Sequence, residues 1–251
     1  MKVRFPQPPQ GWTELRWEVG VVFVGIVLAL AAQQFADTLY WRGQAAQAKR
    51  SIEQELLQHE ADGYERLAVQ HCLRGQLVAL SQRLAAHRGE WRAMPMIVQQ
   101  KGDWQATQMV VPSAYRAPIR LWPNEAWETA RSSGALNHLP DKTVAAYAEA
   151  YTRAMRNSRL QQDEDSAASQ LVALAVDGAI SDGARIELLG ALGQIDRANS
   201  GMENATIQEL DILRLLLNDV PRQTREAAVA KRMKDQRGFR GACVEPLKFK
   251  P

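Results

Sequence analysis

Cysteine is scarce: two residues in 251, too few for a disulfide-stapled scaffold. Glycine, at 16, and proline, at 11, are at ordinary levels, which excludes collagenous and low-complexity chains. Charge of either sign is barely in excess. With 31 basic and 28 acidic residues the formal net charge is +3, so the chain as a whole lacks the electrostatic footprint of a nucleic-acid binder. Missing too are a Gly-rich phosphate loop, G-x-G-x-x-G, the G-x-S-x-G elbow and H-E-x-x-H. His59, His71, His87 and His138 are scattered. His71 beside Cys72 does not make a metal site, because adjacent helical positions point about 100° apart. The carboxylate pairs Glu53/Glu55 and Asp163/Asp165 lie at i, i+2 and face different ways on a helix. The expectation is therefore a non-enzymatic protein with no catalytic, cofactor or metal residues and no nucleic-acid partner. A catalytic site assembled in space from distant segments stays open.

What the chain does contain is one charge-free run. Residues 19–36 carry no charge, and 19–32 carry no polar side chain. As a helix the run is about 27 Å long, enough for the hydrocarbon layer of a bilayer. Trp17 precedes it and Tyr40 and Trp41 follow it, about 34 Å apart at helical rise, the separation of rings at two membrane interfaces. This predicts a transmembrane helix over 17–36 behind a short cytoplasmic front, 1–16. Two rival readings are a buried helix of a soluble domain and a cleaved signal peptide, with Lys2, Arg4 and Arg16 in front and Ala29-Leu30-Ala31 as a small-x-small site. Glu18, the proline-containing front and the lack of a helix breaker after Ala32 favour an uncleaved anchor.

Lys and Arg are balanced on the two sides of the run, so the positive-inside rule gives no direction. The signal-like start places the bulk of the chain outside an inner membrane, in the periplasm, where Cys72 and Cys243 could pair. Two unrelated thiols are the other reading. Gly25, Ala29, Ala32 and Ala36 form a stripe of small residues, suited to helix association or simply facing lipid.

The remainder predicts an all-α chain. Residues 37–88 lack proline and are rich in helix formers, giving a long stalk-like helix or two collinear pieces. Leu73, Leu77, Leu80 and Leu84 share a heptad phase with Ile52 and Leu56. Between them that phase reads His59, Gly63, Arg66 and Gln70, so the seam is interrupted, and Gly63 is the expected bend. Residues 89–123 hold four prolines and two glycines and predict an irregular arm, with an extended pair flanking Gly102-Asp103. Such a segment suits a lid, a partner-contacting arm or a plain connector.

An antiparallel bundle is predicted over 124–220. Asn124 caps a helix that stops at Gly134, and Pro140 opens the next. The polar stretch 161–166 either continues that helix or breaks it. Ser181 caps a helix with Ile186, Leu189, Leu192 and Ile195 on one face, and a break at 199–201 precedes a last helix with Ile207, Leu210, Leu213 and Leu217. The tail, 221–251, holds nine basic and three acidic residues, which suits folding back on an acidic bundle or touching anionic lipid.

One passage is familiar: Trp127-Glu-Thr-Ala130, Ser133-Gly134-Ala-Leu136, Leu139, Tyr147 and Tyr151, with Glu53-Gln-Glu-Leu56 and the apolar run from Glu18 to Leu30. Together these resemble a family of uncharacterised bacterial single-span envelope proteins over residues 15–155. The resemblance implies an N-terminal anchor and a helical domain, and no functional residue. Physically, Trp127, Leu136 and Tyr147 are expected to pack as a corner around Gly134.

These readings combine into a membrane-anchored envelope protein whose exported helical domain binds another envelope protein or a second copy of itself. The alternative is a ligand-sensing bundle that signals through a partner, because 16 cytoplasmic residues are too few for a transmitter. A hydrolase with a spatially assembled site is the third reading.

Overall fold

The computed structural model describes residues 12–94, 113–247 and 249. The fold is all-α, with one two-residue strand pair among the described residues. Helix α1, Trp12–Ala86, is a single helix of 75 residues. Its first part is long and apolar enough to cross a membrane, and every side chain from Arg16 to Tyr40 is exposed. Burial begins at Ala45, and from His59 to Arg66 every residue is buried. Burial on all sides means that over this stretch α1 is the axis of the domain, while beyond it His71, Arg74 and Val78 leave one face exposed.

The other helices wrap that axis. Helix α2, Glu125–Ser132, ends at Gly134, whose φ of 77° is the left-handed conformation a glycine adopts without a Cβ clash. A 3-10 turn, Ala135–His138, leads into α3, Asp141–Ser169. His138 stacks on Trp41 at one end of the domain. Further along, Arg66 of α1 bonds Glu164 of α3, so α3 runs alongside α1, away from the apolar segment. Helix α4, Asp182–Leu216, returns, and α5, Arg222–Arg240, climbs again. Lys49 meets Asp219 in the turn between them at 2.8 Å. At the far end strands β1, Glu90–Trp91, and β2, Gly178–Ala179, pair antiparallel, and the Trp91 indole donates to the Leu174 carbonyl.

Two glycines have a different role from the one the sequence suggested. Gly63 does not interrupt α1; a Cβ there would lie 3.2 Å from Leu210 and Thr206 of α4, so the residue permits a close helix crossing. Nor does a break occur at 199–201: α4 is continuous, and Gly201 abuts Leu160 of α3 in the same manner. The stretch 161–166 continues α3, with Gln161 and Glu164 buried, and residues 170–175 form a 3-10 turn. Ser181 does cap α4, accepting from the Ala184 amide. Asn124 makes no such bond; Glu55 of α1 accepts from the Ala126 amide instead. Ile186 and Ile207 leave their predicted faces and are exposed, while Leu188, Leu192, Ile195, Leu210, Leu213 and Leu217 are buried. The anticipated pair around Gly102-Asp103 lies outside the described residues.

Candidate functional site

The buried segment of α1 reads His59-Glu-Ala-Asp-Gly-Tyr-Glu-Arg66, five of whose eight residues are titratable in the physiological or acid range or permanently charged. Ionisable groups enter such an interior only with partners. Their partners come from α3, α4, α5 and the arm, and this seam gathers more buried chemistry than any other part of the described domain.

At the centre is His59. Its Nε2 lies 2.8 Å from the Pro123 carbonyl and its Nδ1 3.4 Å from Glu209 Oε1. A carbonyl only accepts, so Nε2 carries a hydrogen. The Asn157 side-chain amide donates to the other Glu209 oxygen at 2.6 Å. Burial alone would lower the pKa of His59, but the Glu209 carboxylate and the Pro123 carbonyl outweigh it and raise the pKa. Burial also raises that of Glu209. Trp122 and Tyr151 flank the imidazole edge-on, at 5.8 and 5.7 Å between ring centroids. Trp122 has φ +49°, unusual for a bulky residue and a local strain that the surrounding contacts must hold.

One and two turns on, the pairs are ionic. Arg120 of the arm grips Glu65 through two nitrogens and lies 3.6 Å from Asp62. Arg232 of α5 approaches Asp62 at 2.7 Å. Burial still pushes the Asp62 carboxyl up to about 6, against the pull of Arg232 and Arg120. Arg225 of α5 forks onto Glu60, and its guanidinium lies over the Phe249 ring. Arg66 donates to Glu164 of α3 at 2.8 Å. The same carboxylate oxygen accepts from the Tyr115 hydroxyl, which in turn accepts from Asn199 of α4. Burial raises Tyr115 well above its ordinary range and brings Arg240 down to about 10. The chemistry of the seam is mutual neutralisation: its acids and bases face one another across helices.

Residues 113–123 of the arm are held by this seam. Tyr115, Arg120 and Trp122 turn inward, while Ile119 is 49% and Leu121 is 87% exposed. A disulfide joins Cys72 to Cys243, Cα–Cα 5.4 Å, and fixes the segment after α5 against α1. The Glu245 amide donates to the Ala68 carbonyl beside it. The basic tail thus folds back on acidic positions of α1 through Arg225 and Arg232.

Of the residues singled out in the sequence, Trp17 and Tyr40 are exposed on α1, as are Gly25, Ala29, Ala32 and Ala36. Trp41 is half-buried and stacks on His138, 4.5 Å between centroids and 15° between planes. Leu136 and Tyr147 are buried and Trp127 packs at the same core, although the ring stacked on Trp127 is Tyr151, at 5.5 Å. His59, Glu60, Asp62, Glu65 and Arg66 were not anticipated as a cluster. For His59 and Arg66 the signal was the heptad phase itself: His59, Gly63, Arg66 and Gln70 prolong the leucine seam in register, which charged surface residues have no reason to do, while Glu60, Asp62 and Glu65 lie off that phase. Comparison with family models, with curated proteins and with solved structures found no match.

Proposed function

We propose that the protein is a single-pass, membrane-anchored, non-enzymatic docking module of a bacterial inner membrane, whose exported helical domain engages a protein partner, a second copy or another envelope protein. The observation that carries this is the continuity of α1, in which the apolar run and the axis of the domain are one helix. No flexible linker stands between them, so the domain is held at a fixed height and attitude over the bilayer. From Asp37 to Ala86 the helix extends about 75 Å at helical rise. The buried ionic seam then fixes residues 113–123 to that axis. Ile119 and Leu121 are presented outward from the arm by inward anchors on either side, which is how a preorganised apolar contact is built. The exported placement is supported by the Cys72–Cys243 bond, since disulfides persist in oxidising compartments.

The test is a photo-crosslinking residue placed at Leu121 in membranes of the native host, with one at exposed Glu187 on α4 as control. A discrete adduct at Leu121, absent at Glu187 and lost in the Ile119→Asp variant, is expected. Equal adducts at both positions, or none at Leu121, would refute the docking reading. Release of the intact protein by alkaline carbonate would refute the anchor.

A further inference from the structure

A cavity of about 500 Å³ lies where the apolar run of α1 meets the domain, lined by Gln34, Asp37, Thr38, Trp41, Arg42 and His138. Its volume is in the range of ligand pockets, about 300–1,000 Å³. Five of the six residues come from one face of α1, spaced by three and four, and His138 closes the cavity from the turn between α2 and α3. Resting on the anchor reading proposed above, this cavity stands in the headgroup layer. Gln34 belongs to the last turn of the span, and Arg42 lies about 9 Å beyond Ala36 at helical rise. Side chains on a helix lean toward its N-terminus, so Arg42 reaches back toward the bilayer.

We infer that this cavity binds the headgroup of an amino phospholipid, with the phosphate at Arg42 and the primary ammonium at Asp37. Both charged residues are exposed, and neither is ion-paired among the described residues. Their charges cancel, which matches a zwitterionic headgroup and disfavours an anionic one. The Thr38 hydroxyl already donates to the Gln34 carbonyl at 2.7 Å. Toward a ligand it can only accept, so it joins Asp37 in facing the ammonium. The donor to the phosphate is the Arg42 guanidinium. The Trp41–His138 stack supplies a flat apolar wall of the kind that sits among headgroups. A bound lipid would fill the angle between α1 and the turn carrying His138, and so steady the domain on the membrane.

The experiment uses the full chain in nanodiscs of phosphatidylethanolamine, phosphatidylglycerol and phosphatidylcholine in equal parts, released and weighed by native mass spectrometry. One retained phosphatidylethanolamine per chain is expected. Retention should fall at least fivefold in Arg42→Ala, with an unchanged melting curve of the domain. Asp37→Asn should lose the preference for ethanolamine while still retaining phospholipid. Retention without headgroup preference, or undiminished in Arg42→Ala, overturns the proposal. So does a Thr38→Cys variant that forms a disulfide-linked dimer in full yield in the same nanodiscs, because a second copy would then occupy the cavity. Failure of the chain to enter nanodiscs at all would instead overturn the anchor reading beneath it.

Discussion

The imidazole of His59 on α1 and the carboxylate of Glu209 on α4 face each other at 3.4 Å, both essentially without solvent exposure. Because Nε2 of His59 is committed to donating to the Pro123 carbonyl, Nδ1 and Glu209 hold one proton between them. That proton ties α1 to α4, while the Nε2 hydrogen holds the arm; its loss leaves a buried carboxylate against an imidazole lone pair.

The folded-state pKa values of both His59 and Glu209 are raised. A group with a raised folded pKa binds its proton more tightly when folded, so its contribution to stability is complete below the unfolded value and fades as pH rises through the folded one. Urea denaturation of the wild-type domain should therefore show stability decreasing from about pH 6 upward. His59→Gln, which can still donate to the Pro123 carbonyl, should flatten that slope. His59→Ala should cost about 3–5 kcal/mol near pH 6, as for a buried pair deprived of one partner. An identical pH slope in wild type and His59→Gln would assign the dependence elsewhere.

Asp62 carries a second pH dependence in a lower window. Its carboxyl has an ordinary value of 3.8 and is pushed up to about 6 in the fold, first by burial. Between these values the folded state takes up the proton and the unfolded chain does not, so rising pH removes stability across that interval. The gap corresponds to a few kcal/mol, roughly 1.4 per unit. Asp62→Asn should abolish this part of the profile and be favoured relative to wild type at pH 7 more than at pH 4. Chemical denaturation at the two pH values measures the difference.

At Gly63 the sign depends on size. A methyl would meet Leu210 and Thr206 at 3.2 Å, while alanine gains about 1 kcal/mol of helix propensity over glycine, so Gly63→Ala should be close to neutral. Gly63→Val cannot be accommodated without moving α4 and should destabilise by about 1–3 kcal/mol. If valine is tolerated as well as alanine in thermal melts, α1 and α4 are not in close contact there.

Removing the cross-link should be costly. The Cys72–Cys243 bond spans 171 positions, and loop-closure entropy together with typical measurements places its contribution at about 2–5 kcal/mol. Cys72→Ser should lower the denaturation midpoint by a matching amount, and reductant should then have no further effect. The loss should be felt first after α5, where Phe249 sits against Tyr64 and Arg225. Hydrogen exchange of the Glu245 amide, which bonds the Ala68 carbonyl, reports that release directly.

Much of the architecture is legible in the sequence. The charge-free run, the proline-free stretch behind it and the helix opened by Pro140 are local signals, and α1 and α3 follow them closely. The misplaced helix breaks have one physical origin. Gly63 and Gly201 look like breaks, because glycine weakens an isolated helix by about 1 kcal/mol. Packing overrides that preference when a missing Cβ lets two helices cross closely, as both glycines do here. Likewise the polar stretch 161–166 looks solvated, yet Gln161 and Glu164 are buried against Arg120, Arg66 and Tyr115.

Chain-local physics, then, was enough for helix content and for an N-terminal segment apolar enough to cross a membrane. Which charges meet was not, because a salt bridge between positions 165 apart, such as Arg225 with Glu60, leaves no trace in spacing. The seam exists only once α3, α4, α5 and the arm close around α1. Burial then turns surface-type residues into partners, since an ionised group removed from water must be matched by another.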